Sequence, residues 1–311
     1  MLHVQTWGEG RALIALHGLG LESSCFAGLG QILARRGIRT LSADLPGFGR
    51  TPAPEGPYTM RSLVDPVIEL ATELGDPPLL LGMSLGGRVA LEAALRAPNA
   101  FRGVVLVAPV LPRHQPQWAV GAARLLSPRL AERIPVEAAW PLLKRLAEQR
   151  ESHPEIEEDW LTRIAKRTIY YISCPATRAA FVSAIRVMAE DPASGPESVW
   201  TRLPSLAPPA AFVWGARDRM IPPKLEQDVA ELLPGALQLR VPCAGHYRNG
   251  PHFRCHIEAM AEAAFRIDAR SSGSKRRRGA RGEIVTVDCV AEADPADAHL
   301  KSRVTESRVT P

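Results

Sequence analysis

The chain has 311 residues, long enough for one large domain or two small ones with a sizeable core. Hydrophobic residues make up 46% and charged residues 23%, as in a soluble globular protein, and no apolar run approaches the roughly twenty residues that span a bilayer. The N-terminus has no secretory signal pattern, and the five cysteines are scattered without Cys-x-x-Cys spacing. We therefore expect neither a disulfide framework nor a zinc site, and a cytoplasmic location.

The formal net charge is +5, and the position of the basic residues in the chain does not indicate a binding partner. The only dense basic run is Lys275–Arg281, close to the C-terminus. Such a run is more often a solvated segment than a binding site, so we expect no nucleic-acid partner and no membrane span.

Strands and helices alternate along the first 110 residues. Apolar or alternating runs predict strands at Val4–Trp7, Ala12–Leu16, Arg39–Leu45 and Gly103–Ala108, and a further buried strand in the short apolar run that begins at Leu79. Helical spacing predicts helices at Phe26–Arg35, after Gly87, and from an N-cap at Thr59 or Asp65; Pro66 favours Asp65 but leaves a longer kinked helix open. This alternation predicts parallel β-α-β units, with helices on both faces of the sheet.

The alternation stops at about Pro112 and returns after Leu206. The intervening segment predicts no strand but four helical stretches, at Trp118–Leu126, Glu137–Glu148, Ile156–Arg167 and Thr177–Met188. The later part predicts a strand at Ala210–Trp214, a helix at Pro222–Leu233, a strand at Gln238–Val241 and a last helix from Phe253. From about Asp268 the pattern is lost and we expect disorder, with Ile284–Val287 able to form one short strand that is not stable alone.

A Gly-x-Ser-x-Gly pattern at Gly82–Gly86 lies between a predicted buried strand and a predicted helix. A serine in so sharp a turn needs small neighbours, and the turn lifts the Ser84 hydroxyl clear of the sheet. The following helix directs its N-terminal N–H groups, starting with that of Leu85, at a negative oxygen formed there. In this context the pattern predicts a nucleophilic serine.

A nucleophilic serine needs a base, a carboxylate that orients the base, and two N–H donors for the oxyanion. Asp218 follows one late predicted strand and His246 follows the next, and the order Ser, Asp, His is the one expected of this architecture. His252 and His256 are rivals of His246, and their four-residue spacing also raises a metal site. No carboxylate stands at matching spacing, so we expect no metal there.

The chain resembles the α/β-hydrolase fold superfamily, in its capped serine hydrolase branch. The resemblance is carried by five segments in order, over roughly residues 1–110 and 205–266: His17–Gly20, Asp44–Gly49, Gly82–Gly87, Trp214–Asp218 with Pro222, and Gly245–His246. It implies a mostly parallel twisted sheet covered by helices, with a core of residues 1–111 and 207–267 and a helical cap of residues 112–206. Residues 268–311 have no counterpart in it.

The resemblance also implies roles for individual residues. Ser84, Asp218 and His246 are the expected catalytic residues, and the backbone N–H groups of Leu19 and Leu85 the expected oxyanion donors. His17 and Gly18 support the loop that presents the Leu19 N–H. No cofactor or metal is implied.

The expected reaction is hydrolysis of a carboxylic ester, thioester or lactone of a small, mainly apolar substrate. Carbon–carbon hydrolases of ring-cleavage products are similar but favour Trp after the catalytic histidine, where this chain has Tyr247. Dehalogenases and epoxide hydrolases are similar too, but they use Asp at the position of Ser84. Cofactor-free perhydrolysis stays open, as does a non-catalytic ligand-binding protein on the same scaffold; the oligomeric state is open.

Overall fold

The computed structural model describes residues 1–112, 117–125, 127–128, 175–218, 220–222, 224–246, 253–272, 284–287 and 304–307. The described strands are β1 (Val4–Trp7), β2 (Arg11–Leu16), β3 (Ile38–Ala43), β4 (Leu79–Met83), β5 (Gly103–Val107), β6 (Ala210–Gly215), β7 (Leu237–Val241), β8 (Ile284–Val287) and β9 (Val304–Ser307). They form one sheet in the order β1-β3-β2-β4-β5-β6-β7-β8-β9. β2 to β8 pair in parallel, and only β1 and β9 are antiparallel to their neighbours.

Helices cover both faces of this sheet. The described helices are α1 (Ala27–Ala34), α2 (Met60–Glu73), α3 (Leu85–Arg96), α4 (Gln117–Leu125), α5 (Pro175–Glu190), α6 (Val199–Arg202), α7 (Lys224–Leu232) and α8 (Phe253–Ser272). Side chains of α1 and α8 pack in the apolar core on one face, and those of α2, α3, α5 and α7 in the core on the other. The predicted α/β architecture is confirmed, because successive residues of each buried strand contribute to opposite cores.

The start of α2 differs from the favoured prediction. Thr59, not Asp65, is the N-cap: its side chain accepts a hydrogen bond from the Ser62 N–H, and the Ser62 hydroxyl accepts one from the Thr59 N–H. This reciprocal pair satisfies two N–H groups at the helix start. Pro66 lies inside the helix, as in the longer helix that the sequence left open.

The C-terminal segment contains more regular structure than the sequence predicts. α8 continues to Ser272, past the expected end of the fold. The short strand considered at Ile284–Val287 is present, because β7 offers it a parallel edge and β9 pairs with its other side. The expected disorder elsewhere in residues 268–311 stays a prediction, and the basic run lies outside the described residues.

The segment between β5 and β6, residues 112–206, contains helices wherever the structure describes it apart from connecting turns. The helices predicted at Trp118–Leu126 and Thr177–Met188 are confirmed as α4 and α5, whereas Glu137–Glu148 and Ile156–Arg167 lie outside the described residues. The two ends of the segment are joined, because the buried indole N–H of Trp200 donates to the Pro112 carbonyl oxygen at 2.6 Å.

A buried network of charges ties the same segment to the helix that follows Ser84. Arg88 on α3, 2% exposed, forms a bidentate ion pair with Asp191, directly after α5, and contacts Glu92. Glu92 in turn accepts two hydrogen bonds from Arg202. Burial acts to lower the pKa of Arg88, but the hydrogen bonds and charges of Asp191 and Glu92 outweigh it and raise that pKa. The network therefore keeps these side chains charged where α3 contacts the end of α5 and α6.

We expect Arg88→Met to destabilise the fold by about 3–5 kcal/mol, because it leaves Asp191 buried without its cation. Urea unfolding followed by circular dichroism measures this change. Arg186→Met is the matched control, since Arg186 pairs with Glu190 at the surface of α5, where an ion pair contributes at most about 1 kcal/mol. Equal unfolding midpoints for the two variants would show that the network does not stabilise this contact.

None of the helices in the described part of the chain is long and apolar enough to cross a membrane.

Candidate active site

Ser84 occupies the turn between the end of β4 and the start of α3. Its φ of 54° and ψ of −114° lie outside the regions that non-glycine residues favour, at a cost of about 1–3 kcal/mol. The turn is held by its surroundings: the Ser84 N–H donates to the Val107 carbonyl, and the Ser84 carbonyl accepts from the N–H groups of Arg88 and Val110. A fixed, strained serine of this kind is the one that the sequence predicts.

The glycines around Ser84 are required by close backbone packing. A Cβ on Gly82 would overlap the carbonyl oxygen of Gly86. A Cβ on Gly86 would overlap the carbonyl oxygens of Leu16 and His17 at the end of β2. The predicted need for small neighbours is confirmed, since any side chain at either position would displace the turn.

Ser84, His246 and Asp218 form a continuous hydrogen-bonded chain. His246 Nε2 lies 3.0 Å from Ser84 Oγ, and His246 Nδ1 lies 2.8 Å from Asp218 Oδ2. With a proton on Nδ1 donated to the carboxylate, Nε2 is left to accept the Ser84 proton. Residues separated by up to 162 positions thus meet because each follows the carboxyl end of a parallel strand.

The Asp218 carboxylate is oriented by the backbone that follows it. Its Oδ1 accepts hydrogen bonds from the N–H groups of Met220 and Ile221, both at 2.8 Å. Its other oxygen is thereby directed at His246. Sequence reasoning did not find these two donors, although a carboxylate followed within a few residues by Pro222 is a turn signal that points to them.

All three side chains are largely shielded from water. Ser84 is 8% exposed, Asp218 6% and His246 9%. In such a setting electrostatic interactions are stronger than in water.

His17 is fully buried and both of its ring nitrogens are engaged by the backbone. Nε2 accepts a hydrogen bond from the Leu45 N–H at 2.9 Å, so Nδ1 carries the proton and donates to the Gly18 carbonyl at 2.8 Å. A histidine held in this way has no nitrogen left to serve as a base. Its contacts join the loop after β2 to the loop after β3.

The loop after β2 lies directly beside Ser84. A Cβ on Gly18 would lie 3.3 Å from the Ser84 Cβ, which places the Gly18–Leu19 peptide next to the serine. Leu85 follows Ser84 as the first residue of α3, where a helix leaves its N–H groups unbonded. The predicted donor Leu85 is therefore next to Ser84 in the chain, and the predicted donor Leu19 follows a glycine that lies beside the serine.

Of the two rival histidines, the structure describes only His256. His256 is buried on α8, 1% exposed, whereas His246 contacts both Ser84 and Asp218. His252 and Tyr247 lie outside the described residues, so the comparison that rested on Tyr247 stays a prediction.

One cysteine differs from expectation. Cys243, three residues before His246, is disulfide-bonded, while Cys25 and Cys255 are thiols. Sequence spacing did not reveal this bond, because motif spacing detects only pairs that are close along the chain.

Comparison with known proteins agrees with this geometry. A family model described as alpha/beta hydrolase fold matches residues 11–249, and the chain belongs to that family.

Curated relatives are similar over most of their length. The chain is 30% identical over 267 residues to the pimeloyl-[acyl-carrier protein] methyl ester esterase of Chromobacterium violaceum, covering 84% of this chain and 97% of the relative. It is 27% identical over 248 residues to the protein of the same name from Shewanella woodyi, covering 79% of this chain and 90% of the relative.

Solved structures share the fold at lower identity. An esterase from Exiguobacterium antarcticum matches with a TM-score of 0.63 at 19% identity, covering 85% of this chain and 95% of that structure. A thermophilic esterase from Thermogutta terrifontis matches with a TM-score of 0.59 at 22% identity, covering 86% and 91%. At these identities the likeness shows the fold alone.

Proposed function

We propose that the chain hydrolyses carboxylic esters through an acyl-enzyme on Ser84. The observation that carries the proposal is the placement of His246, with one ring nitrogen on the serine hydroxyl and the other on Asp218. The strained backbone of Ser84 supports it independently. The curated relatives described as methyl ester esterases agree with ester hydrolysis.

The first half of the reaction forms the acyl-enzyme. His246 Nε2 takes the Ser84 proton as Oγ attacks the ester carbonyl carbon, and Asp218 stabilises the resulting imidazolium. The N–H groups of Leu19 and Leu85 donate to the oxyanion, each contributing about 3 kcal/mol to the lowering of the barrier. The imidazolium then protonates the departing alkoxide, and the alcohol leaves.

The second half repeats these steps with water. His246 takes a proton from the water as its oxygen attacks the acyl carbon, and the same N–H groups hold the second oxyanion. Collapse returns the proton to Ser84 Oγ and releases the acid. The chain's own residues carry every proton transfer, so the reaction needs no metal or cofactor.

We assign residues 112–206 to a cap over this site, between core segments 1–111 and 207–267. Support comes from α5, which packs against the loop that follows β3: a Cβ on Gly47 would overlap the Ala180 Cβ. The apolar residues Ala184 and Val187 of α5 join the same core as Leu85 beside the serine. A cap of this kind would screen the site from water, which favours an apolar acyl or alcohol part.

The relatives narrow the substrate class further. Both are described as acting on a methyl ester attached to an acyl-carrier protein, which makes a small alcohol and a medium-length acyl chain the best substrate for this chain. A carrier-bound substrate would make an acyl-carrier protein a transient partner. A cytoplasmic location, where such carriers occur in bacteria, stays a prediction.

We expect purified protein to hydrolyse methyl esters of dicarboxylic acids of about five to nine carbons faster than the ethyl or butyl esters of the same acids. The physical reason is the limited room for the alcohol part in a shielded site. Acid release is measured by pH-stat, with Ser84→Ala as the blank. Equal rates for all alcohols would contradict the methyl ester assignment but not ester hydrolysis, and turnover of no ester would contradict both.

A further inference from the structure

A short segment, Ala108–Pro112, runs from the end of β5 past the turn that holds Ser84. We propose that this clamp segment fixes the serine in its reactive position, and that Trp200 of α6 is the positioning residue that holds the clamp segment in place. This role concerns the geometry of the nucleophile and so rests on the proposed ester hydrolysis.

The clamp segment begins at a residue that is strained in the same way as the serine. Ser84 and Ala108 are the two non-glycine residues with a positive φ in the part of the chain that the structure describes, at 54° and 40°. Each directly follows a strand, and the last residues of those strands, Met83 and Val107, are paired. Strained backbone persists only where its surroundings hold it, so both residues depend on their neighbours.

The clamp segment contacts the serine turn through its backbone. The Val110 N–H donates to the Ser84 carbonyl oxygen at 3.1 Å. A Cβ on Gly87 would lie 3.0 Å from the Cα and Cβ of Pro109, so the first turn of α3 packs directly against the segment. A shift of the clamp segment would therefore move the Ser84 backbone, and with it the hydroxyl that lies 3.0 Å from His246 Nε2.

Trp200 holds the far end of the clamp segment. Its buried indole N–H donates to the buried carbonyl oxygen of Pro112 at 2.6 Å. Pro112 comes two residues after Val110, so this hydrogen bond limits the movement of the N–H that contacts Ser84. A buried carbonyl that lost this donor would gain free energy by shifting toward another one.

The helix that carries Trp200 is itself fixed to the helix that follows the serine. Arg202 of α6 donates two hydrogen bonds, at 2.9 and 2.7 Å, to Glu92 of α3. The contacts form a closed ring from α3 to α6, through Trp200 to the clamp segment, and back to Ser84. The end of the proposed cap thus helps to set the position of the nucleophile.

Trp200→Phe removes the indole N–H and keeps an aromatic ring. We expect kcat for methyl ester hydrolysis to fall about tenfold, a factor that corresponds to about 1.4 kcal/mol, because both halves of the reaction pass through Ser84 Oγ. KM should change less than about twofold, since the substitution moves the nucleophile and removes no group that binds substrate. Fluorophosphonate labelling of Ser84 should slow by a similar factor of about ten.

The matched control is Trp214→Phe, the same change at another buried tryptophan. The Trp214 indole N–H donates to the side-chain oxygen of Gln238 at 2.7 Å, so this variant also loses one buried hydrogen bond. Urea unfolding should show similar losses of stability in the two variants, whereas kcat of the control should stay within about twofold of wild type. An equal loss of kcat in both variants would overturn the positioning role, because it would reflect general destabilisation.

A double-mutant cycle with Ala108→Gly tests the route through the clamp segment. Glycine adopts a positive φ without strain, so the segment in that background needs less support from Trp200. Trp200→Phe should therefore lower kcat by less than about threefold in the Ala108→Gly background. The same tenfold loss in both backgrounds would overturn the proposal, because Trp200 would then act by another route.

The activity of wild type distinguishes failure of this role from failure of the proposed function. Wild-type protein that hydrolyses no ester would contradict the proposed function and, with it, the role of Trp200. Active wild type with an unchanged kcat in Trp200→Phe would overturn the role of Trp200 alone and leave ester hydrolysis in place.

Discussion

Replacement of Ser84 by alanine should reduce kcat/KM for ester hydrolysis by about 10⁶-fold. The change removes the nucleophile, the hydroxyl oxygen that lies 3.0 Å from His246 Nε2. Initial rates with a p-nitrophenyl ester measure the loss. The residual rate should reflect only the binding groups and the oxyanion donors, which the substitution leaves in place.

The fold of this variant should be unchanged or slightly more stable. Alanine in the same strained turn keeps the hydrogen bonds to Val107 and Val110, which are made by the backbone. Ser205→Ala, the same change at an exposed position, is the control and should keep full activity. Most of the activity surviving in Ser84→Ala would mean that another residue is the nucleophile.

Replacement of Asp218 by asparagine should lower kcat by about 10⁴-fold with little change in KM. Oδ1 of Asp218 accepts from two backbone N–H groups, so the asparagine oxygen takes that position and its NH₂ group faces His246. Nδ1 must then accept a hydrogen bond from that NH₂ group, so the imidazole proton moves to Nε2. In that tautomer the histidine has no lone pair for the Ser84 proton.

The matched control for this variant is Glu231→Gln, the same chemical change at an exposed position on α7. It should leave kcat within twofold of wild type. In Asp218→Asn the proton on His246 Nε2 must be removed before the histidine can act as a base. The activity of this variant should therefore rise as hydroxide is added at high pH. A drop of less than tenfold would show that the carboxylate does not set the tautomer of His246.

The fold and the positions of Ser84, Asp218 and His246 could be predicted from the sequence, because each is marked by a pattern that is local in the chain. Each of Ser84, Asp218 and His246 follows a short apolar run, and parallel strands bring such positions to one edge. The glycines beside Ser84 belong to the same short pattern, although one of them is required by a distant contact, because a Cβ on Gly86 would overlap the carbonyl oxygens of Leu16 and His17.

What sequence reasoning missed depends on partners far apart in the chain. The Arg88 network joins three elements separated by up to 110 residues, and a single arginine gives no sign of its partners. The sequence named the strand at Ile284–Val287 only as possible, because the pairing of β8 with β7 and β9 joins segments that are distant in the chain. The disulfide at Cys243 belongs to the same class of long-range contact.

The N-terminus of α2 shows a different kind of error. Asp65 followed by Pro66 is a strong signal for a helix start. However, Thr59 and Ser62 come earlier in the chain and cap the helix there. Pro66 is the seventh residue of α2, so the helix loses one hydrogen bond, the one to the Ser62 carbonyl, and continues past it.

Labelling by a fluorophosphonate tests the central claim most directly, because it needs the serine, its base and the oxyanion donors at once. The assignment of Ser84 as nucleophile predicts stoichiometric modification, with the label on the peptide that contains Ser84, and labelling slowed at least about a hundredfold in Asp218→Asn. Label on another residue, or none on folded wild-type protein, would contradict it.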